Sequence, residues 1–157
     1  MRRVVVTGIG VVSAIGNNAA EFKQAIAEGR AGIGPITKHA DALRMKVAAE
    51  VRGFDAAAHF DERSLGWLDP FSHYGIAAAR EAISDSGIEF AGESNERAGV
   101  ITGSCLGGKE TEDELYSELY DQKKTRFPPT VIPAVMANAV ASHVAMEKGL
   151  TGATFTL

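Results

Sequence analysis

The sequence contains little cysteine, has no excess of positive charge and lacks any long apolar run. A single cysteine, Cys105, among 157 residues excludes an internal disulfide framework and favours a reducing compartment. The formal charge of −4 argues against a nucleic-acid-binding protein, because binding phosphate groups requires a basic surface. No stretch reaches the roughly 18 apolar residues that a membrane span needs. The apolar start is interrupted at Gly8 and Gly10 with no small-residue cleavage site, so we expect no signal peptide and a cytoplasmic chain.

The residues that are present predict one domain of the α/β class. Hydrophobic residues make up 45% of the chain, which is enough for a globular core. Apolar runs at residues 4–7, 98–102 and 154–157 predict strands buried in a parallel sheet, and residues 46–51 predict an edge strand. Strands alternating with helices indicate a layered architecture. Three buried strands are few for such a sheet, which suggests an incomplete domain.

Four helices are predicted from apolar spacing and from residues that favour helix ends. The first covers residues 19–28, with Asn18 as N-cap and Glu21 three residues later. The second lies between Asp69 and Gly87 and begins at a proline. The third is a strongly acidic helix at about 109–124, and the last spans about 133–148. Each is expected to pack against a sheet or another helix through its apolar face.

Two glycine-containing turns follow predicted strands. The first, Gly8-x-Gly10-x-x-Ser13, resembles a dinucleotide fingerprint, but its third glycine is missing and no helix opens directly after it. Tight structural turning is the better interpretation. The second, at residues 103–108, lacks the Lys-Ser/Thr ending of a phosphate loop and precedes an acidic helix. Close backbone approach to an uncharged ligand or a neighbouring element is therefore favoured over phosphate binding.

The side chains that could carry chemistry form no recognisable catalytic or metal-binding pattern. Cys105 is the natural candidate for a nucleophile, but the acidic residues nearby would raise its pKa rather than activate it. The alternative is a small apolar residue in ordinary packing. No Cys-x-x-Cys or His-x-x-x-His spacing predicts a metal site. Nothing in the sequence places a histidine beside Cys105: His39 and His59 lie in loop-like segments, and His73 and His143 lie on predicted helices. The aromatic residues are interpreted as packing groups and the acidic run as a solvated helix face: Trp67, Phe71, Tyr74, Glu110, Glu112, Asp113 and Glu114.

Four segments together resemble the N-terminal half of a β-ketoacyl-[acyl carrier protein] synthase, a condensing enzyme of the thiolase-like superfamily. Residues 3–17, RVVVTGIGVVSAIGN, are similar to the family's start. Residues 82–87, AISDSG, resemble its Ala-x-x-Asp-(Ala/Ser)-Gly helix end. Residues 100–108, VITGSCLGG, resemble its Gly-Ser-Gly-x-Gly-Gly turn. Residues 148–153, KGLTGA, resemble the segment before its nucleophile strand. The likeness follows the whole chain in order.

The resemblance implies a fold, a reaction and partners. The fold would be a layered α-β-α-β-α sandwich, of which residues 1–157 would form only the N-terminal half. The reaction would be a decarboxylative Claisen condensation of acyl and malonyl thioesters in fatty-acid or polyketide elongation, catalysed by an acyltransferase without cofactor or metal. The thioesters would arrive on an acyl carrier protein. A homodimer or heterodimer would form through the last strand, and neither nucleic acid nor membrane is expected as a partner.

The resemblance also implies where the functional residues lie. The nucleophilic cysteine would come a few residues after Leu157, and two catalytic histidines further on, so no catalytic residue is expected within the chain. Cys105 stands where the family usually has glycine and would not inherit the nucleophile's role. Leu106, Ile132 and Met136 match substrate-lining positions of the acyl pocket, with ordinary packing as the competing interpretation for each.

Two other functions remain open at this point. A chain-length-factor-like subunit would shape a partner's acyl pocket and lack the nucleophile, so the residue after the last strand would discriminate it. A self-sufficient small α/β binding module would instead unfold cooperatively as a monomer. An incomplete synthase predicts exposed apolar surface and association of the isolated chain.

Overall fold

The computed structural model describes residues 3–157, which form seven α-helices and four short strands. The helices are α1 (Ala19–Ala27), α2 (Glu62–Trp67), α3 (Pro70–Ser86), α4 (Glu93–Arg97), α5 (Lys109–Tyr120), α6 (Val131–Val135) and α7 (Ala139–Lys148). The strands are β1 (Gly34–Pro35), β2 (Val47–Ala48), β3 (Val100–Thr102) and β4 (Thr154–Thr156). Secondary structure is thus mixed, as the sequence predicts.

The chain divides into two compact units. The first comprises the residues up to Asp55 together with Ala77–Gly87, and the second comprises Ala56–Ile76 and Ile88–Leu157. In the first unit β1 and β2 pair antiparallel, which confirms a strand within residues 46–51. In the second unit β3 and β4 pair parallel, with Ile101 opposite Phe155.

The first unit contains helix α1, which begins as its capping residues predict. The Asn18 side chain accepts a hydrogen bond from Glu21 N at 2.8 Å. Glu21 Oε2 accepts from the Asn17 backbone at 2.8 Å, one residue earlier than in a standard capping box. Gly29, with φ +66°, follows the helix in the left-handed conformation. Ala25 is fully buried, so the predicted apolar face packs inward at that position.

The strand predicted at residues 4–7 does not form. Val4 and Val6 are 96% and 82% exposed, and no strand of the described residues pairs with them. The chain that follows runs along helix α3 instead, where Ile9 N donates to Asp85 Oδ2 at 2.9 Å. A β-branched run becomes a buried strand only when neighbouring strands satisfy its backbone.

The second unit has its core at the start of α3 and around α7. Buried residues of this core include Phe60, Leu68, Ile76, Ala134, Ala139, Ala141, Val144 and Leu150. Helix α3 starts at Pro70 and ends before Gly87, as predicted. Helix α7 packs on both β3 and β4. The short side chains of α7 allow this close approach of helix to strands.

The strand predicted at 98–102 forms, but its burial on both faces is wrong. Ile101 is 62% exposed, and its neighbour Phe155 on β4 is 45% exposed. Partners in register on adjacent strands point to the same face. One face of this two-stranded sheet therefore contacts α7, and the face that carries Ile101 and Phe155 is open.

The last predicted helix, 133–148, is two helices joined at residues 136–138. Met136 is extended, with ψ 136°. The carbonyl of Val135 accepts from Gly108 N at 3.0 Å, while Ala139 N donates to Met136 O at 2.9 Å. The tertiary hydrogen bond thus occupies the carbonyl that would otherwise continue the helix. The acidic helix is also shorter than predicted, since α5 ends at Tyr120.

Candidate functional site

The glycine-rich turn at residues 103–108 lies beside the carboxyl ends of both parallel strands. Thr102 O accepts from Leu157 N at 2.9 Å, and Ser104 N donates to Leu157 O at 3.2 Å. The Thr102 and Thr156 hydroxyls are 2.7 Å apart and hydrogen-bonded. These contacts lock the start of the turn to the end of β4.

The second half of the turn packs directly against the backbone between α6 and α7. Gly107 has φ +64°, and a Cβ there would lie 2.4 Å from Val135 O. Its N–H donates to Ser104 Oγ at 3.1 Å. Glycine is needed here both for the conformation and for the close approach. The predicted close backbone approach is confirmed, with a neighbouring element of the chain as the partner.

Asp69 holds the far end of the turn. This carboxylate is only 2% exposed. Its Oδ1 accepts from Phe71 N at 3.0 Å, and its Oδ2 accepts from Thr111 N at 2.8 Å. The sequence predicts the first bond, a local N-cap of α3, but not the second. The second bond is indicated in the sequence only by Gly108, the residue before α5. Glycine has no side chain to cap the helix, so another residue has to accept from its first N–H groups.

A cavity of about 330 Å³ opens beside the turn within the second unit. Its polar hydroxyls already have protein partners, since Thr102 bonds Thr156 and Ser104 accepts from Gly107. The other side chains are apolar, so the cavity suits an apolar group. Its lining residues are Phe71, Gly75, Thr102, Gly103, Ser104, Ala137 and Val140.

The three predicted substrate-lining residues lie on the turn and on the segment it contacts. Leu106 is 67% exposed, Ile132 64% and Met136 43%. The bond between Gly108 N and Val135 O brings the two segments together. Ile132 also lines a second groove, of about 340 Å³. The other groove residues are Glu112, Leu115, Tyr116, Leu119, Phe127, Pro128, Val131 and Val135.

Cys105 and the histidines form no catalytic pair or metal centre within the described residues. The Cys105 thiol is exposed on the turn. His73 packs against Phe60 at 4.8 Å between ring centroids, and His143 meets Trp67 edge-on at 5.3 Å. Burial lowers the pKa of both imidazoles. Across residues 3–157, no three His, Cys, Asp or Glu side chains gather as metal ligands would.

The Gly8-x-Gly10 motif serves packing in the first unit. A Cβ at Gly8 would lie 2.1 Å from Ala82 O, and one at Gly10 only 1.9 Å from Ala78 O. The glycines let this segment approach the backbone of α3 closely. The motif therefore has a packing role, whereas the tight turn that the sequence suggested does not form at Gly8 or Gly10.

No helix within residues 3–157 has both the length and the apolar character to cross a membrane.

The sequence matches the family described as "Beta-ketoacyl synthase, N-terminal domain" over residues 1–157. This chain belongs to the β-ketoacyl synthase family. It is 35% identical over 157 residues to a 3-oxoacyl-[acyl-carrier-protein] synthase 2 of Coxiella burnetii. That match covers 99% of this chain and 38% of the relative. The β-ketoacyl synthase chain thus spans well under half the length of the curated relatives it matches.

Solved structures show the same family fold. The ishigamide ketosynthase/chain length factor aligns with a TM-score of 0.85 and 27% identity, over 99% of this chain and 40% of that one. A chain from the structure of AntDE:AntF, a type II polyketide synthase acyl-carrier protein in complex with its ketosynthase, aligns with a TM-score of 0.73 and 25% identity. It covers 99% of this chain and 42% of that chain. The predicted fold, the N-terminal half of the thiolase-like sandwich, is confirmed.

Proposed function

We propose that this chain forms the N-terminal part of a β-ketoacyl-[acyl carrier protein] synthase that elongates acyl chains in fatty-acid or polyketide synthesis. The observation that carries the proposal is the 35% identity to a 3-oxoacyl-[acyl-carrier-protein] synthase 2 across 99% of the chain. The matches at the chain's start, at the end of α3, at the glycine turn and before β4 support it.

The reaction joins two thioesters. A cysteine thiolate attacks the acyl thioester and the carrier thiolate leaves. The malonyl thioester then loses carbon dioxide, and the resulting carbanion attacks the acyl-enzyme carbonyl and expels the cysteine. We place this cysteine and two histidines beyond Leu157. We do not assign the role to Cys105, because its exposed thiol lies in the glycine turn, at a position where the family resemblance implies glycine.

The turn beside β4 supports this placement of the nucleophile. Leu157 is hydrogen-bonded on both sides, to Thr102 and to Ser104, so residues that follow it would begin beside the turn. We propose that Leu106, Ile132 and Met136 line the acyl pocket there. Their exposed apolar side chains are the type of surface that an alkyl chain would cover.

The partners follow from the same family. We propose that an acyl carrier protein delivers the acyl and malonyl thioesters, as the complex of AntDE:AntF illustrates for its own ketosynthase. The unpaired edge of the β3–β4 sheet supports a dimer through β4, because an exposed strand edge readily pairs with another chain. We also propose a cytoplasmic location for the protein.

The test is a condensation assay on the natural full-length protein that contains this chain. With a purified acyl carrier protein loaded with acyl and malonyl groups, we expect a β-ketoacyl product and release of carbon dioxide. Residues 1–157 alone should give neither. Condensation at a comparable rate by residues 1–157 alone would contradict the proposal.

A chain-length-factor-like subunit is the second candidate. The structural match to the ishigamide ketosynthase/chain length factor favours it. Such a subunit would have no cysteine at the position after β4. Sequencing about a dozen codons past Leu157 separates the two candidates, since a Thr-Ala-Cys-like sequence supports the synthase and its replacement supports the subunit.

A further inference from the structure

We propose that Asp69 is a positioning residue that fixes the glycine turn and so sets which acyl chains are accepted. This inference rests on the proposed function for its acyl-chain part only. The hydrogen bonds of the Asp69 carboxylate go to Phe71 N and Thr111 N and not to Leu106, the proposed pocket residue. Asp69 acts through the backbone that carries that residue.

The carboxylate caps two helices at once. Its two oxygens accept from Phe71 N in α3 and from Thr111 N in α5, at 3.0 and 2.8 Å. The two donors lie 40 residues apart in the sequence. A carboxylate that joins two backbone segments in a site with 2% exposure restrains both strongly, because charge-assisted hydrogen bonds are short and directional.

Helix α5 depends on this external cap. Its own N-cap position is Gly108, which offers no side chain. Thr111 N is one of the first N–H groups of a helix, which have no partner within it. Without Asp69, this part-buried donor would be left unsatisfied, at a cost in stability.

The same contact anchors the turn. A Cβ at Gly108 would lie 3.0 Å from Asp69 Cβ, so the turn packs directly on this side chain. The other end of the turn is held by Ser104 N on Leu157 O. Leu106 lies between these anchors. Without Asp69, the bond from Gly108 N to Val135 O still holds this end of the turn, but the cap of α5 and the packing of Gly108 on Asp69 are lost, and the Leu106 side chain then shifts.

Two substitutions separate this role from simple capping of α3. Asp69→Asn keeps the shape but has one acceptor oxygen, so its NH₂ group must face one of the two N–H donors. Asp69→Ser retains a good cap for α3 but has a single short oxygen that cannot also reach Thr111. The matched control is Asp61→Asn, because Asp61 caps only α2, through Ser64 N at 2.7 Å.

The experiment uses the natural full-length protein and two measurements. Hydrogen–deuterium exchange is followed in the peptides covering residues 103–115. In parallel, kcat/KM is measured with an acyl carrier protein that is loaded with either a medium-chain or a long-chain acyl group. Both Asp69 variants should show faster hydrogen–deuterium exchange in those peptides. The ratio of the two kcat/KM values should shift about tenfold, which is the lower end of the discrimination that one methylene contact in a pocket provides. Asp61→Asn should change neither quantity.

Equal loss of activity with both acyl chains would overturn the proposal, because a residue that is only structural would not change their ratio. Unchanged exchange in both Asp69 variants would also overturn it. A natural protein that condenses no acyl chain would overturn the proposed function and the acyl-chain part of this inference. The exchange result would then still decide whether Asp69 anchors the turn.

Discussion

At the scale of single residues, Gly108 and Gly103 of the glycine turn differ in the room they leave for a side chain. A Cβ at Gly108 would lie 2.7 Å from Val135 Cα and 2.8 Å from Ala134 O, both backbone atoms. A Cβ at Gly103 would meet nothing within 4 Å. Two glycines five residues apart thus have different reasons to be there.

Alanine at these two positions gives a matched pair. Gly108→Ala should lower the free energy of unfolding by about 2 kcal/mol, since backbone has to move to admit the methyl group. Gly103→Ala should change it by less than about 0.5 kcal/mol. Urea denaturation measures both. Equal effects at the two positions would show that the turn is not packed against the α6–α7 connection.

His73 is a buried imidazole whose protonation opposes folding. Burial lowers its pKa, although a hydrogen bond to the Ser64 backbone and the Asp69 carboxylate act the other way. Its Nε2 has no hydrogen-bond partner. Because the folded-state pKa is lowered, the unfolded chain takes up the proton first as the pH falls through the ordinary value of about 6.5.

Stability should therefore be full above about pH 7 and decrease as the pH falls below about 6.5. His73→Gln removes this titration and should flatten the change in urea midpoint between about pH 7.5 and pH 5.5. His143, whose pKa burial also lowers, accounts for part of the remaining slope. A variant with the same pH dependence as the unsubstituted protein would contradict the assignment to His73.

At the scale of elements, the Glu81 carboxylate of helix α3 joins two parts of the first unit. Glu81 Oε2 accepts from Val11 N and Oε1 from Ala19 N, both at 2.8 Å. It thereby holds the irregular N-terminal segment and the first residue of α1. The helix performs for this segment the hydrogen-bonding role that a neighbouring strand would have.

Glu81→Gln should destabilise the protein by about 1.5 kcal/mol, because the amide has one acceptor and two N–H groups require one each. The control is Glu89→Gln at an exposed position, with an expected change below about 0.5 kcal/mol. The urea midpoint is again the measurement. Indistinguishable midpoints for the two variants would mean that the Glu81 bonds contribute no net stability.

Local signals predicted the elements that local chemistry decides. Asn18 and Asp69 mark helix starts by their own hydrogen bonds, so α1 and α3 could be placed from the sequence. Long-range contacts decided the rest. The helix break at Met136 depends on a hydrogen bond from Gly108, which no spacing within residues 133–148 reveals.

The candidate site follows the same division. Leu106, Ile132 and Met136 came from a resemblance of the whole segment to a family, because no local physical signal distinguishes them from packing residues. The bond from Thr111 N to Asp69 joins residues 42 apart, and only the fold brings them together.

At the scale of the whole molecule, the open face of the β3–β4 sheet makes the isolated chain prone to association. Ile101 and Phe155 lie side by side on it, and both are exposed. Residues 1–157 alone should bind a hydrophobic dye and scatter light. Substitution of both residues by threonine, which retains strand preference, should reduce both signals.

Met146→Gln is the control for that prediction. Met146 is 66% exposed on α7, so the variant removes an exposed apolar side chain away from the sheet. An equal reduction in the control would show that association does not depend on the sheet face. A compact monomer with little dye binding would instead favour a self-sufficient binding module.

The parallel pairing of β3 with β4 has a consequence for the order of folding. The hydrogen bond between the Thr102 and Thr156 hydroxyls joins residues 54 apart in the sequence. Such a long loop closes late in folding, because the chain must lose the conformational entropy of the loop before the strand contacts stabilise it. Helices α5, α6 and α7 lie inside that loop and can form from local contacts. During synthesis, β3 and the glycine turn that follows it therefore remain unpaired until β4 has left the ribosome.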